Sequence, residues 1–346
     1  LLIFNFHQEI TVLMLKIQVS LCTLIILTAF IFLNPLAAQP QKGHWRVVGS
    51  TDGSSLIKRT ESSFVRVGRK FYLLGNRGIK PISIYDVRKG TWSEGAAPPV
   101  EIHHFQPVVY NKKIYVIGAL TGDYPGETPV PYVLIYDPVE NAWSKGADIP
   151  PHRLRGSAGV CVYRKKIYIA AGIKDGHRGD HKKWLDVYDP RTGEWLELPA
   201  APRARDHFQA ISRKGRIYLI GGRRSESETD IFANLVPEVD VFDLRTGAWS
   251  TLEQPLPTPR AGNFLSPFKS RYIVVLGGET GGQQQAHAEM EVLDVRTHNW
   301  QTWAPMIQGR HGTGAIYYKG KIYVASGCGN RGGAPEVPTM EVFEMN

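Results

Sequence analysis

One phrase recurs six times along this chain: an apolar strand, a basic turn, an Ile-Tyr pair or its equivalent, and a second apolar strand ending near a small residue. It stands as Arg69-Lys70-Phe71-Tyr72-Leu73-Leu74-Gly75, as Lys112-Lys113-Ile114-Tyr115-Val116-Ile117-Gly118 and as Lys165-Lys166-Ile167-Tyr168. It returns as Gly215-Arg216-Ile217-Tyr218-Leu219-Ile220-Gly221, as the degenerate Arg271-Tyr272-Ile273-Val274-Val275-Leu276-Gly277, and as Gly320-Lys321-Ile322-Tyr323. A second phrase follows five of the copies, a short strand and a turn leading to tryptophan: Ile84-Tyr85-Asp86 to Trp92, Ile135-Tyr136-Asp137 to Trp143, Val187-Tyr188-Asp189 to Trp195, Val241-Phe242-Asp243 to Trp249, and Val292-Leu293-Asp294 to Trp300.

Each unit therefore holds four short strands in about 50 residues. A four-stranded sheet of this size cannot cover both of its faces alone. Packing such sheets as blades around an axis buries the faces and leaves only short edges. The expected fold is all-β, a six-bladed propeller. The ends fit a closed ring. The sixth copy has its third strand at Glu341-Val342-Phe343 but no tryptophan after it. The missing strand stands at the other end, His44-Trp45-Arg46-Val47-Val48, and is expected to close the last blade.

These repeats resemble the kelch family, in particular a bacterial exported type similar to the central domain of galactose oxidase. The resemblance implies a single kelch-type propeller over residues 39–346 and is not specific for function. It does not imply copper oxidase chemistry, which needs a cysteine–tyrosine cross-link and an additional domain. Cys161 and Cys328 fall on repeats three apart, opposite one another in a six-fold ring. A disulfide needs Cα atoms within about 7 Å, so two free thiols are expected.

The segment before the repeats reads as targeting sequence. Residues 1–13 look like upstream sequence, with the start at Met14. Lys16 precedes a mostly apolar run over 17–33, and Leu36-Ala37-Ala38 offers a small-residue cleavage site. The run is shorter than the ~20 residues a membrane span needs. A cleaved signal over residues 1–38 predicts a secreted or periplasmic protein with no stable membrane insertion.

The formal charge is +9 over 346 residues. Much of it sits at the first hairpin turns of the blades, including Lys112, Lys113, Arg164, Lys165, Lys166, Arg213 and Lys214. This is the turn face, away from the usual mouth of a propeller, and charge runs there read as a solvated surface. Basic residues without aromatic interleaving do not suggest nucleic acid.

The opposite face collects the fourth-to-first strand links and the second-to-third strand loops. Aligned on the Ile-Tyr pair, the lead-ins to the first strands place Arg59, Arg155, Arg205 and Arg310 at one position, with Arg260 one residue out of phase. Two readings of these arginines stay open. Their five donors can brace loop carbonyls, or they can ring the channel and grip carboxylates or sulfates. Ile102-His103-His104-Phe105-Gln106 aligns with Arg205-Asp206-His207-Phe208-Gln209, so His104 and His207 hold equivalent places two blades apart, and His311 adds a third imidazole. His104, His207, Tyr124 and Arg205 are the candidate catalytic set, since imidazole carries protons near neutrality. Arg155, Asp206, Arg260, Arg310, His311, Glu127, His177, Trp184, Arg223, Arg224, Glu279 and Arg331 are the candidate ligand contacts. Asp175, His177 and His181 offer a weak metal set whose spacing matches no closed zinc site. No cofactor is expected.

Two function classes remain. One is a binding module for a carbohydrate, anionic by the arginine bias, or for a protein. The other is an enzyme on an acidic sugar, similar in architecture to some polysaccharide lyases and to a sialic acid mutarotase. The enzyme reading predicts that His104 and His207 converge with an arginine on one pocket; the binding reading predicts that they are spread apart.

Overall fold

The computed structural model of the chain describes residues 42–224 and 230–345. The expected signal over residues 1–38, with Cys22, lies outside them. Among the described residues no helix is long and apolar enough to cross a membrane.

The fold is the expected ring of six four-stranded antiparallel blades. Blade one runs Ser63–Val67, Lys70–Leu74, Ile82–Asp86 and Thr91–Gly95. The same pattern repeats from Val108–Tyr110, Gly159–Tyr163, Gln209–Arg213, Phe264–Phe268 and Ala315–Tyr318. These six first strands touch in sequence around the axis and close on one another. Blade six completes itself with the N-terminal strand: His44–Val48 pairs antiparallel with Met340–Glu344, Trp45 opposite Phe343.

The core is six wedges between neighbouring blades. Tyr72, Ile82, Ile114 and Tyr136 fill the wedge between blades one and two; Phe264, Met290, Ile322 and Phe343 fill the one between five and six. The fourth-strand tryptophans seal these wedges. Trp45 lies 5.5 Å from Phe343, and Trp249 lies 5.1 Å from Phe242. Their indole N–H groups donate back to the preceding blade, Trp45 to the Ala304 carbonyl at 2.8 Å and Trp249 to that of Pro199 at 2.8 Å. A large apolar body with one satisfied donor suits such a seam.

Cys161 and Cys328 are both free and buried, as the ring geometry required. The basic hairpin-turn residues Lys112, Arg164 and Lys165 are exposed.

The arginine position resolves into a repeated brace. Arg205 is fully buried; its guanidinium donates to the carbonyls of Gly221 (3.0 Å) and Glu238 (3.1 Å) and to Asp240 Oδ2 (2.7 Å). Arg155 reaches Ala171, Arg153 and Ile169 carbonyls and pairs with Asp186. Arg260 pairs with Glu291, Arg310 with Glu341, and Arg59 reaches Ser83. None of these five lines the cup described below. They spend their donors inside the blades. Arg260 is in phase after all. Its hairpin carries one extra residue, with Lys269, Ser270 and Arg271 between the paired Phe268 and Tyr272, where Arg213 and Arg216 flank only Lys214 and Gly215.

Candidate functional site

Two residues past each arginine the lead-in reaches the axis. Glu61, His104, Ser157, His207, Gly262 and Gly312 occupy this position in blades one to six, and all six are left-handed, with φ of 47°, 51°, 49°, 51°, 64° and 60°. The backbones link across blades: Ser62 N–H to Gly312 O, Gly312 N–H to Gly262 O, Gly262 N–H to His207 O, and His104 N–H to Glu61 O. Left-handed backbone is costly for residues other than glycine, and such strain collects where a side chain must be held at a particular place. Glycine at 312 has its own reason. A Cβ there would stand 2.8 Å from Glu61 Oε2, so the bare backbone makes room for that carboxylate.

Beneath this ring two glutamines bridge the first strands. Gln106 accepts the N–H groups of Val160 (2.8 Å) and Ala210 (2.9 Å), joining blade two to blades three and four. Gln209 accepts the Leu265 N–H at 2.8 Å and donates to the Thr313 carbonyl. The glutamine that follows each of the paired histidines therefore bridges blades beneath the ring, while Phe105 and Phe208 pack into the wedges.

Above the ring is a cup of about 640 Å³, lined by Glu61, Arg77, His104, Tyr124, His177, His207, Arg223, Phe232, Glu279 and Arg331 among others. His104 and His207 converge, with ring centroids 4.6 Å apart, and His177 lies 5.3 Å from the first and 4.9 Å from the second. His177 arrives on the hairpin formed by Ile173–Asp175 and Gly179–His181. Its N–H donates to the Pro125 carbonyl at 3.0 Å. Gly176 is left-handed (φ 49°), and a Cβ there would meet the Pro125 carbonyl at 2.6 Å. That close approach docks the hairpin of blade three on the loop of blade two.

The imidazoles are oriented by their neighbours. His177 Nδ1 donates to Glu127 Oε2 at 3.0 Å, and Arg77 holds the other oxygen at 2.6 Å. Burial opposes the Glu127 carboxylate, but His177 and Arg77 outweigh it and hold its pKa down at about 2. His207 Nδ1 donates to Asp206 Oδ2 at 2.6 Å, and His207 Nε2 accepts from Arg223 at 3.0 Å. Burial, reinforced by Arg223, lowers the His207 pKa to about 4, so the ring is neutral. His103 Nε2 donates to the Gly122 carbonyl, which leaves its Nδ1 to accept from His104 Nδ1 at 2.6 Å. The remaining His104 nitrogen, Nε2, faces Glu61 Oε2 at 3.4 Å. Burial keeps His104 well below its ordinary pKa, so that ring is neutral, and burial also raises the pKa of Glu61 against the pull of His311.

His311 closes the other side. Its Nε2 donates to the carbonyls of Asn330 (2.9 Å) and Gly332 (2.8 Å), and it stands 3.5 Å from Glu279 and 3.6 Å from Glu61. Burial opposes its charge, but Glu279, Glu61 and the carbonyls prevail and raise its pKa. A raised histidine pKa stabilises the fold fully below the ordinary value of 6.5 and loses that contribution as pH climbs through the folded value. The stability gap between the wild type and His311→Asn is therefore expected to be largest at pH 6 and to shrink as the pH is raised. Denaturant unfolding at several pH values measures it. A gap that is flat or grows with pH would remove the charged His311 from the account.

Of the sequence candidates, the cup gathers His104, His207, His177, Tyr124, Arg223, Glu279 and Arg331 along its wall. Glu127, Asp206 and His311 stand behind that wall and hold it. Tyr124 is half exposed at the lip, 5.0 Å from the His177 ring. Trp184 lies elsewhere, its face covered by Arg153 at 4.4 Å and Lys182 at 5.0 Å. Arg224 is exposed. The metal set read from spacing does not assemble: Asp175 is exposed on the hairpin, and His181 faces Asp206 at 3.4 Å. Sequence reasoning missed Glu61 and Arg77. The signal for Glu61 was present, since it aligns with His104 and His207 two residues after the brace arginine.

Comparison with known proteins agrees with this architecture. Residues 154–202 match the kelch motif. The chain is 29% identical to Kelch-like protein terF of Aspergillus terreus over 331 residues, 90% of this chain and 70% of that one. It is 26% identical to human Kelch-like protein 23 over 58% of this chain and 41% of that one. The solved structure of YjhT shares the fold, with a TM-score of 0.68, 15% identity, and coverage of 82% of this chain and 95% of that one. In its six in-phase blades, its motif match and these relatives the chain is similar to kelch-repeat proteins.

Proposed function

We propose that the cup binds a small anionic carbohydrate and exchanges a proton with it, in a chain exported to the cell exterior or periplasm. The observation that carries this is Arg223. It is buried to 1% exposure against the cup, and among the described residues its Nε and Nη1 have no hydrogen-bond partner. A buried guanidinium with spare donors favours a ligand carboxylate, since unmet donors are costly. Arg331 stands at the rim, donating to the Gly281 carbonyl. Phe232, under the Arg223 guanidinium at 5.0 Å, and Tyr124 supply apolar faces for a sugar ring. The convergence of three imidazoles with that arginine favours chemistry over a passive surface.

Glu61 is the group placed to move the proton. In its protonated form, which burial favours, the carboxyl carries a donor on one oxygen and an acceptor on the other. On a cyclic sugar it can protonate the ring oxygen while taking the proton of the anomeric hydroxyl. The ring C–O bond breaks, the carbonyl forms, and the carboxyl is regenerated; reclosure on either face interconverts anomers. The protein's remaining task is to hold the carboxylate of the sugar on Arg223.

Calorimetric titration with glucuronate and galacturonate, beside glucose and galactose, tests the binding. Uronates are expected to bind and the neutral sugars to bind at least about tenfold more weakly, a preference lost in Arg223→Met. Polarimetry of freshly dissolved uronate reports anomer exchange, and ultraviolet absorbance over uronate polysaccharides reports lyase chemistry instead. Equal heats for charged and neutral sugars, or none, would remove the anionic ligand.

A further inference from the structure

The three cup histidines have a property that proton transfer does not require. One ring nitrogen from each of His104, His177 and His207 lies within 4.8 Å of the others, and all three rings are buried. Their Nδ1 atoms are already committed, to His103, Glu127 and Asp206 respectively. That leaves three Nε2 atoms turned to a common space, two of them on rings oriented by a carboxylate. This is the support that metal-ligating histidines are given: the outer nitrogen donates to an acid or another acceptor, which fixes the tautomer and strengthens the inner nitrogen as a ligand.

We propose that His104, His177 and His207 bind a divalent transition metal ion of the zinc class, with one coordination position open to the cup. Three imidazoles and an open place are the donor set of catalytic rather than structural zinc, and imidazole suits zinc better than the hard cations that seek oxygen. Two features of the cup fit an ion there. The first is the hydrogen bond from Arg223 to His207 Nε2, which shows that this lone pair accepts a cationic partner from the cup side. An ion replaces that contact, and Arg223 then has Glu279, 3.7 Å away, to turn to. The second is Glu61, whose Oε2 stands 3.4 Å from His104 Nε2. Zinc–nitrogen bonds of about 2.1 Å make a tetrahedral edge of about 3.4 Å, so the carboxyl stands one ligand-to-ligand spacing from His104, beside the space an ion would fill. The site comes from three consecutive blades, so these must be packed together for it to exist.

The inference is independent of which sugar binds. Tag-free protein is stripped with a chelator, then titrated with zinc chloride and, separately, with cobalt chloride. Expected are one tightly held zinc per chain by elemental analysis after dialysis, and a visible cobalt spectrum of low-coordinate type. His177→Ala alters only the docked hairpin and is expected to abolish stoichiometric binding. Glu127→Gln keeps all three ligands and is expected to weaken zinc by about 10–100-fold. His152→Ala, at an exposed surface pair with Glu197, is expected to change nothing. Circular dichroism of each variant shows that the propeller is intact. Stripped wild type that takes up no stoichiometric zinc, or a folded His177→Ala that binds as wild type does, overturns the proposal. Uronate titration of the stripped protein separates the two readings: loss of zinc uptake with uronate binding kept removes the metal alone, and the converse removes the ligand alone.

Discussion

Arg205→Ala is expected to lower the unfolding free energy by about 3–5 kcal/mol, the usual loss when one partner of a buried ion pair is deleted. Arg205 is fully buried, and burial lowers its pKa to about 10 against the pull of Asp240. Truncation would strand Asp240, itself fully buried, together with the carbonyls of Gly221 and Glu238. Arg203 also touches Asp240 and tempers the loss. The chain contains its own control. Blade two lacks the arginine: Ile102 stands at that position, and Leu134 replaces the acid, both buried in the wedge with blade one. An ion pair and an apolar pair thus serve the same place in one molecule. The double variant Arg205→Ile/Asp240→Leu is therefore expected to recover about half or more of the loss, since a buried ion pair and a packed apolar pair are often equivalent in stability. Equilibrium denaturation of the two variants decides it. A single variant as stable as the wild type would return Arg205 to the candidate catalytic set.

Glu61→Gln is expected to slow sugar proton exchange by about 10²–10⁴-fold, the range for loss of a general acid–base group, while uronate affinity changes by less than about tenfold. The amide keeps the shape and fills the same space beside Gly312, but it cannot pass a proton. Burial is what raises the Glu61 pKa, with His311 opposing and Glu279 assisting. The group therefore keeps its proton to higher pH than an ordinary glutamate, as a carboxyl acting as acid must. Gly312→Ala perturbs the same oxygen from outside and should reduce the rate without removing the group. Polarimetric rates measured at saturating uronate check both variants. An unchanged rate in Glu61→Gln would move the proton to the imidazoles.

How much of this was legible in the chain depends on whether the information was periodic. The brace is an instructive case. Arginine two residues before the left-handed position is visible in sequence, and so is its partner, three residues before the acidic residue that closes each third strand (Glu344 in blade six, aspartate in the others): Ser83, Asp186, Asp240, Glu291 and Glu341. Read together, the pairs and the joint absence at Ile102 and Leu134 assign the arginines to structure. Read alone, the arginines left the brace and the binding ring both open. Arg260 seemed displaced only because counting along the chain cannot tell an extra residue in a hairpin turn from a slip in the strand.

Sequence by itself determined the blades, their number and the closure of the last one by His44–Val48, because alternation, turn chemistry and wedge-filling aromatics act locally and repeat in every unit. It also placed His104 and His207 at equivalent positions. Only the tertiary structure decided that His177 joins them, that Glu61 faces His104, and that Gln106 and Gln209 bridge blades beneath them. Those contacts join different blades across the axis, where one hairpin docks on a neighbour's loop through Gly176. No period along the chain encodes a distance between elements that meet only once the ring has closed.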